Sequence, residues 1–313
     1  EYQITEQFHN VTISNFLKTL GFSRQCIISL KKQEKGILLN GIWAYVNTLL
    51  SEGDTLTLTL SEDESSEKIP PVNLPLHILY EDEDILVLNK PANMPIHPSL
   101  NNYENTLANA VAYYYDSQNI PFVFRCINRL DRDTTGVTML AKNPFSAGIL
   151  SEMVRNREIH REYVAIADGI FLQKEGIVDA PIGRKEGSTI ERKINLETGE
   201  RAVTHYTVLK ENKNLNCSQI KLWLETGRTH QIRVHMQYIG HPLFNDERYG
   251  GDKILKGTTF SKYKQFIENC FETMPRHALH ARLLGFEHPK TGEYKEFTLD
   301  LPADFKAVIE KWE

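Results

Sequence analysis

The sequence predicts an α+β fold, in which a mixed, mostly antiparallel central sheet carries flanking helices, preceded by a small N-terminal α/β domain. Three observations support this prediction. Apolar runs of strand length recur at irregular intervals, amphipathic helical segments separate some of them, and an acidic stretch ending in two prolines divides the chain. Irregularly spaced runs of strands favour an α+β arrangement over a doubly wound parallel sheet.

The N-terminal domain, residues 1–61, is expected to begin with two short helices. Ser14 can cap a helix that ends at Gly21, and Ser23 can cap a second helix that ends before Gly36. Two strands should follow, the second with strict alternation of leucine and threonine. These strands are residues 37–41 and 56–60.

Residues 62–72 form the expected linker, because the run SEDESSEKIPP at 61–71 is polar, acidic and closed by prolines. The second domain, residues 73–313, should contain buried or alternating strands and helices with N-cap signals. The strands are expected at 85–90, 137–141, 163–167, 202–209 and 218–224, and the helices after Thr106, Asn143 and Thr229.

Composition indicates a globular protein of 313 residues, 41% hydrophobic and 25% charged. The four cysteines lie far apart, which is typical of reduced thiols rather than a disulfide framework or zinc site. Neither a secretory signal nor a membrane span is predicted. We therefore expect a cytoplasmic protein, and a monomer.

The net charge of −5 at first argues against a nucleic-acid partner. However, residues 61–84 contain eight acids and one lysine, so this stretch carries −7 and the remainder +2. Arginine and lysine cluster elsewhere, and such clusters can follow a phosphate backbone or simply form a solvated surface. The clusters include Arg125/Arg129/Arg132, Arg155/Arg157/Arg161, Arg184/Lys185 and Arg192/Lys193.

The most informative segment is RCINRLDRDTTGVTMLAK, residues 125–142. Its aspartates and arginines precede a hydrophobic strand, where a side chain can be held rigidly and still face a cleft. Local chemistry alone favours a structural role, in which Asp131 or Asp133 pairs with a neighbouring arginine. The residue order indicates otherwise, because RLDRDTTG followed by aliphatic residues closely resembles the catalytic motif of the RluA-type pseudouridine synthases, whose single aspartate corresponds to Asp131.

Other segments resemble further motifs of this family and occur in the family's order. The family's active-site tyrosine corresponds to Tyr163, and the second arginine of its third motif to Arg233. The resemblance covers residues 72–305 and implies a pseudouridine synthase fold that isomerises uridine in RNA. The matching segments are NKP at 89–91 with HP at 97–98, REYVAIADG at 161–169 and TGRTHQIRVH at 226–235.

The proposed trio also makes chemical sense. A carboxylate close to the ribose must stay ionised in a water-poor pocket, and the guanidinium of Arg233 can grip Asp131 with two bonds. Tyr163 offers a flat face for uracil and a hydroxyl for proton handling. The alternatives are a core aromatic for Tyr163 and a surface helix charge for Arg233. Whether Asp131 attacks the sugar or acts as a base is left open.

RNA contacts are expected from several basic residues. A target base must leave its stack, and in the resembling enzymes the residue corresponding to Arg129 contacts RNA there, the alternative being a structural ion pair. Lys90, Arg228 and His230 are weaker candidates for phosphate or pocket contacts. Residues 24–54 resemble the S4 RNA-binding module, although this copy is less basic, and a structural cap is the alternative. Its candidate RNA contacts are Arg24, Lys31 and Lys32.

No cofactor is expected, since the isomerisation exchanges one bond within a single substrate and the sequence contains no phosphate loop or dinucleotide fingerprint. His230, His235, His277 and His280 lack the partners of an ordinary metal site, so no metal is expected either. Ribosomal RNA is the implied substrate and transfer RNA the alternative. The rival functions are an RNA-binding protein without catalysis and a hydrolase using Asp131 and Asp133 as a carboxylate pair.

Overall fold

A computed structural model describes residues 1–59, 65–66, 68–100, 102–213, 215–253 and 261–311, with the backbone alone at 261–263. Within these ranges no helix is long and apolar enough to cross a membrane. All four cysteines are free.

The N-terminal unit contains two helices packed on a small four-stranded antiparallel sheet, formed in spatial order by β1 (Tyr2–Gln3), β4 (Thr55–Leu58), β2 (Ile37–Leu39) and β3 (Ile42–Trp43). Ser23 caps the second helix as predicted, since its Oγ accepts a hydrogen bond from the amide of Cys26. The prediction for Ser14 is wrong, because Thr12 provides the cap by accepting from the amide of Asn15. The elements are β1 (Tyr2–Gln3), a 3₁₀ turn (Glu6–Phe8), α1 (Ile13–Thr19), α2 (Arg24–Lys32), β2 (Ile37–Leu39), β3 (Ile42–Trp43) and β4 (Thr55–Leu58).

The larger unit contains the remaining strands and helices. Its strands are β5 (Ile78–Glu81), β6 (Ile85–Lys90), β7 (Thr135–Ala141), β8 (His160–Asp168), β9 (Glu175–Asp179), β10 (Ile182–Arg184), β11 (Arg192–Ile194), β12 (Val203–Asn212), β13 (Cys217–Leu224), β14 (Leu279–Glu287) and β15 (Tyr294–Thr298). Its helices are α3 (Leu107–Asp116), α4 (Pro144–Asn156), α5 (Gln231–Tyr238), α6 (Ser261–Thr273) and α7 (Ala303–Glu310).

Nine strands form the central sheet, in the order β5-β6-β7-β14-β8-β13-β12-β9, with β15 paired to β14. Among the described strands, β7 and β14 form its one parallel pairing, so the predicted mostly antiparallel sheet is confirmed. Gly136 lies at this pairing with φ +119°, and a Cβ there would lie 2.0 Å from the carbonyl oxygen of Ala281. Only glycine therefore allows β7 to approach β14 at this point.

Two of the three predicted caps in this unit are confirmed. Thr106 forms a capping box with Asn109 at the start of α3, and Asn143 accepts from the amide of Ser146 at the start of α4. The prediction for Thr229 is wrong. Helix α5 starts at Gln231, and the preceding His230 has a left-handed backbone with φ 58° and no side-chain cap bond.

The described part of the expected linker lies along the larger unit. The hydroxyls of Ser65 and Ser66 accept hydrogen bonds from the amides of Phe122 and Phe124. The side-chain Nδ2 of Asn109 on α3 donates to the carbonyl of Pro70. Residues 62–64 and 67 of the predicted linker lie outside the described residues.

The two units also touch through α4. The rings of Phe22 and Phe145 lie 4.4 Å apart, and Phe145 packs against the apolar core of the N-terminal unit. This contact joins the N-terminal unit to α4, the helix that precedes β8 in the chain.

Candidate active site

A cleft of about 640 Å³ brings the three predicted catalytic residues together. Asp131 comes from the turn before β7, Tyr163 from β8 and Arg233 from α5. The cleft therefore forms where segments more than a hundred residues apart in sequence meet. Its lining is strongly basic and includes Arg129, Arg155, Arg157, Arg161 and Arg228.

Asp131 lies in the predicted turn, whose backbone is held from three sides. The amide of Thr134 donates to the carbonyl of Asp131 at 3.2 Å. The Lys90 ammonium and the Met94 amide both donate to the carbonyl of Arg132, and Arg276 donates from Nη1 to that of Asp133. These bonds fix the turn from which the Asp131 side chain projects.

Lys90 does not fit its expected role in RNA contact. Its side chain has no exposed surface, and its ammonium donates to the carbonyls of Pro91, Met94 and Arg132 at 2.7–2.9 Å. Burial lowers the pKa of Lys90 to about 7, partly opposed by the negative charges of Asp133 and Asp131. In this structure Lys90 supports the turn rather than a phosphate.

Arg233 connects two carboxylates. Its Nη1 donates to Oδ2 of Asp131 at 2.9 Å, while Nε and Nη2 donate to the two oxygens of Asp246 at 2.7 and 2.8 Å. The guanidinium is also 4.9 Å from the ring centroid of Tyr249. The alternative of a surface helix charge is excluded, because Arg233 is 6% exposed. The expected two-bond grip exists, but on Asp246 rather than on Asp131.

The pKa of Asp131 lies below its ordinary value. Burial, the strongest influence, acts to raise it, but burial is outweighed by the charges that His230 and His277 carry when protonated, by the charge of Arg233 and by the hydrogen bond from Arg233. Burial also lowers the pKa of His230, and that of His277 to about 4, so both imidazoles are neutral at pH 7. Arg233 is therefore the permanent cation that keeps Asp131 ionised.

Tyr163 is 6% exposed, and its ring packs in the core cluster that underlies the cleft. Burial raises the pKa of Tyr163; the positive charge of Arg161 opposes this effect, and the negative charge of Asp131 adds to it. The phenol is therefore protonated at neutral pH. Tyr163 is a core aromatic and a cleft residue at the same time.

The two aspartates of the turn differ in their environment. Asp131 lines the cleft and binds Arg233, whereas the Asp133 carboxylate accepts two hydrogen bonds from Arg132, at 3.1 and 3.2 Å. The structural ion pair expected from local chemistry thus exists, and Asp133 forms it. This arrangement gives no support to a carboxylate pair acting from both sides of a substrate.

The remaining cleft candidates have different surroundings. Arg129 is exposed, and no described residue forms an ion pair with it. Arg228 pairs with Glu200. Nδ1 of His230 forms a hydrogen bond of 2.7 Å with the hydroxyl of Tyr249. Nε2 of His230 lies 3.8 Å from Oδ2 of Asp131. His230 therefore lies within the site itself.

Arg24, Lys31 and Lys32 are all exposed on α2, outside the cleft. Their side chains are available to a partner. The structure does not bring them together with the catalytic candidates.

Sequence reasoning missed two residues that hold Arg233, namely Asp246 and Tyr249. Asp246 has no exposed side-chain surface, and its Oδ1 also accepts from the amide of Tyr249. Neither residue belongs to a motif named above. Asn245, which precedes Asp246, has a left-handed backbone with φ 55°, a conformation that asparagine adopts more readily than most residues.

One group of possible metal ligands lies away from the cleft and consists of Asp82, Asp84 and His288. Each already has protein partners. His288 Nε2 contacts Asp82 at 3.0 Å, and Asp84 accepts from Asn143 and Ser146 at 2.9 and 2.6 Å. These bonds account for the cluster as a structural network, so we assign no metal to it.

Comparison with known proteins gives the class of this chain. Residues 84–238 match the family described as RNA pseudouridylate synthase. A Bacillus subtilis protein named uncharacterized RNA pseudouridine synthase YjbO is 37% identical over 96% of this chain and 98% of its own length. The chain therefore belongs to the RNA pseudouridylate synthase family and is an isomerase acting on RNA, as the sequence predicted.

Further relatives are more specific in name. The ribosomal large subunit pseudouridine synthase D of Haemophilus ducreyi is 42% identical over 80% of this chain and 74% of that protein. Among solved structures, human RNA pseudouridylate synthase domain containing 1 superposes with a TM-score of 0.55 and 25% identity. That match covers 74% of this chain and 86% of the human chain, and it supports the predicted fold of the larger unit.

Proposed function

We propose that this enzyme converts specific uridines of large-subunit ribosomal RNA to pseudouridine, with Asp131 as the essential catalytic residue. The observation that carries the proposal is the hydrogen bond from Arg233 to Asp131 inside an arginine-lined cleft. A carboxylate kept ionised in a basic cleft suits a reaction at the ribose of a bound nucleotide.

In the proposed reaction the Asp131 carboxylate assists cleavage of the C1′–N1 bond, and the freed uracil rotates. A C5–C1′ bond then forms, the proton on C5 is lost and N1 gains a proton, so atoms and charge balance without a cofactor. Tyr163 stacks against the uracil and, because its phenol is protonated, donates a hydrogen bond during proton transfer. Arg233 orients Asp131 and limits its protonation.

The ribosomal target rests on likeness to relatives named for the large ribosomal subunit, at 38–42% identity over about four fifths of this chain. A direct test maps pseudouridines in ribosomal and transfer RNA from cells with and without the gene, then repeats the reaction with purified protein. We expect sites to disappear from large-subunit RNA and to return on adding the protein. Loss of transfer-RNA sites alone would contradict the ribosomal target, and released uracil would indicate a hydrolase.

We further propose that the N-terminal unit binds RNA in the manner of an S4 module, through exposed Arg24, Lys31 and Lys32 on and near one helix face. Replacing all three with glutamine should weaken RNA affinity and reduce its salt dependence, since fewer phosphates are neutralised. Thermal unfolding should stay unchanged because the three side chains are exposed. Unchanged affinity and salt slope would leave this unit a structural cap.

A further inference from the structure

Arg161 is a buried cation of the cleft that the proposed chemistry does not use. It lies on β8 two residues before Tyr163, so both side chains project from the same face of the strand. Both line the cleft together with Asp131. Arg161 is only 8% exposed, which makes it as buried as a typical core residue.

No described residue supplies a partner for the Arg161 guanidinium. Its Nε is enclosed and has no hydrogen-bond acceptor. The neighbouring acids are engaged elsewhere: Asp131 binds Arg233, and Glu225 binds Arg157 at 2.9 Å. Burying an unpaired guanidinium is unfavourable, and native proteins normally supply a counter-charge. An anionic ligand would provide the missing partner.

Gly227 lies directly against this guanidinium. A Cβ at this position would lie 2.9 Å from Nη1 of Arg161. The backbone of Gly227 does not have the left-handed φ that requires glycine. Glycine is therefore required at this position for its small size and not for its backbone conformation. The end of the Arg161 side chain occupies the space that a larger residue would fill.

We propose that Arg161 binds one phosphodiester group of the RNA backbone next to the target uridine. This assignment rests on the proposed function. A phosphate fits better than a uracil carbonyl, because a phosphate carries a full negative charge and so supplies the counter-ion that the guanidinium is missing. A phosphate can also accept two parallel hydrogen bonds from the guanidinium. The position of Arg161 beside Tyr163 places that phosphate close to the reacting nucleotide.

The test compares Arg161→Met with Arg161→Lys and with the control Arg282→Gln. Arg282→Gln removes the same charge, but the Arg282 side chain is 42% exposed and pairs with Glu162 instead of lining the cleft. The probe is a short RNA that contains the mapped uridine. A neutral methylphosphonate replaces the linkage on its 5′ or its 3′ side, and affinity is measured at several salt concentrations.

With unmodified RNA, Arg161→Met should bind about tenfold more weakly, and its salt slope should fall by about one. Arg161→Lys should lose less. One of the two neutral linkages should weaken RNA binding by the parent by a similar factor. The same linkage should leave RNA binding by Arg161→Met unchanged, since this variant has already lost the contact with the phosphate. Without RNA, Arg161→Met should unfold at the parent's temperature or higher, because methionine fills the space without an unpaired charge.

Equal effects of both neutral linkages on the parent and on Arg161→Met would overturn the assignment. So would an unchanged salt slope combined with a lower unfolding temperature, which would mark Arg161 as a structural residue. Pseudouridine formation by the parent is scored separately, so that a failed phosphate assignment and a failed catalytic assignment are distinguished.

Discussion

Arg233 donates a single hydrogen bond to Asp131, at 2.9 Å, while its other two donor positions are held by a deeper carboxylate. That carboxylate, Asp246, has no exposed side-chain surface, whereas 24% of the Asp131 side chain is exposed. The buried Asp246 thus orients the guanidinium, which presents its Nη1 donor to Asp131 in the cleft. A charge alone cannot reproduce this arrangement, because it depends on a planar group with donors on several sides.

Arg233→Lys should therefore be severely impaired although its charge is retained. A lysine ammonium cannot hold Asp246 with two bonds and reach Asp131 at the same time. We expect single-turnover pseudouridine formation to slow by about a hundredfold and the fold to lose about 3 kcal/mol. Arg201→Lys is the control, because Arg201 is 54% exposed. A normal rate in Arg233→Lys would show that the contact with Asp131 has no catalytic role.

The pH dependence of the reaction tests the electrostatic role of Arg233. The lowered pKa of Asp131 keeps its carboxylate charged below the ordinary value of 3.8, so the parent rate should not fall between pH 7 and pH 5 through this group. In Arg233→Gln, burial raises the pKa of Asp131 without opposition from the Arg233 charge. The acid limb of the rate–pH profile should therefore move to higher pH. The measurement is the single-turnover rate against pH. An acid limb at the same pH in both proteins would contradict this role.

Tyr163→Phe keeps the buried ring and removes the hydroxyl. We expect RNA affinity close to the parent's and a turnover rate about a hundredfold lower, since only proton handling is lost. Tyr238→Phe is the control, because Tyr238 is 57% exposed at the end of α5. If Tyr163→Phe instead bound RNA poorly and turned over bound RNA normally, Tyr163 would serve packing alone.

Arg129→Ala should reduce productive engagement of folded RNA, because the exposed side chain at the cleft rim would fill the space vacated by the target base. The comparison uses two RNAs, one with the uridine in a structured stem and one with the same uridine unpaired. The loss of rate should be greater on the structured RNA. Arg132→Ala, from the same turn but paired with Asp133, controls for charge. Equal losses on both RNAs would argue against this role.

Much of the architecture was predictable because it depends on local patterns. The helix caps at Ser23, Thr106 and Asn143 are local, because each side chain accepts a hydrogen bond from the backbone amide three residues later in the chain. Strand β7 follows from its apolar run. The start of α5 was misplaced because the left-handed backbone of His230 has no comparable signal in the sequence.

Contacts distant in sequence were not predictable in this way. Asp246 meets Arg233 through a turn after α5, and Arg276 reaches the carbonyl of Asp133, in the turn before β7, from 143 residues away. The burial of Lys90 depends on carbonyls from two separate loops. Motif resemblance selected Asp131, Tyr163 and Arg233 as candidates, but the partner of each side chain depends on how these segments pack together.

The central claim is that the Asp131 carboxylate carries the chemistry. Asp131→Asn preserves size and packing but removes the negative charge. Asp133→Asn is the matched control, because it alters the same turn and changes net charge equally, while its carboxylate pairs with the exposed Arg132. Both variants should unfold near the parent's temperature and bind RNA.

The deciding measurement is pseudouridine formed under single-turnover conditions by Asp131→Asn, Asp133→Asn and the parent, with folding and RNA affinity measured on the same preparations. Asp131→Asn should be slower than the parent by at least about a thousandfold, and Asp133→Asn should retain substantial activity. Loss of activity in both folded variants would favour the two-carboxylate alternative. Pseudouridine formation by Asp131→Asn at a rate near the parent's would contradict the assignment of Asp131 as the catalytic residue.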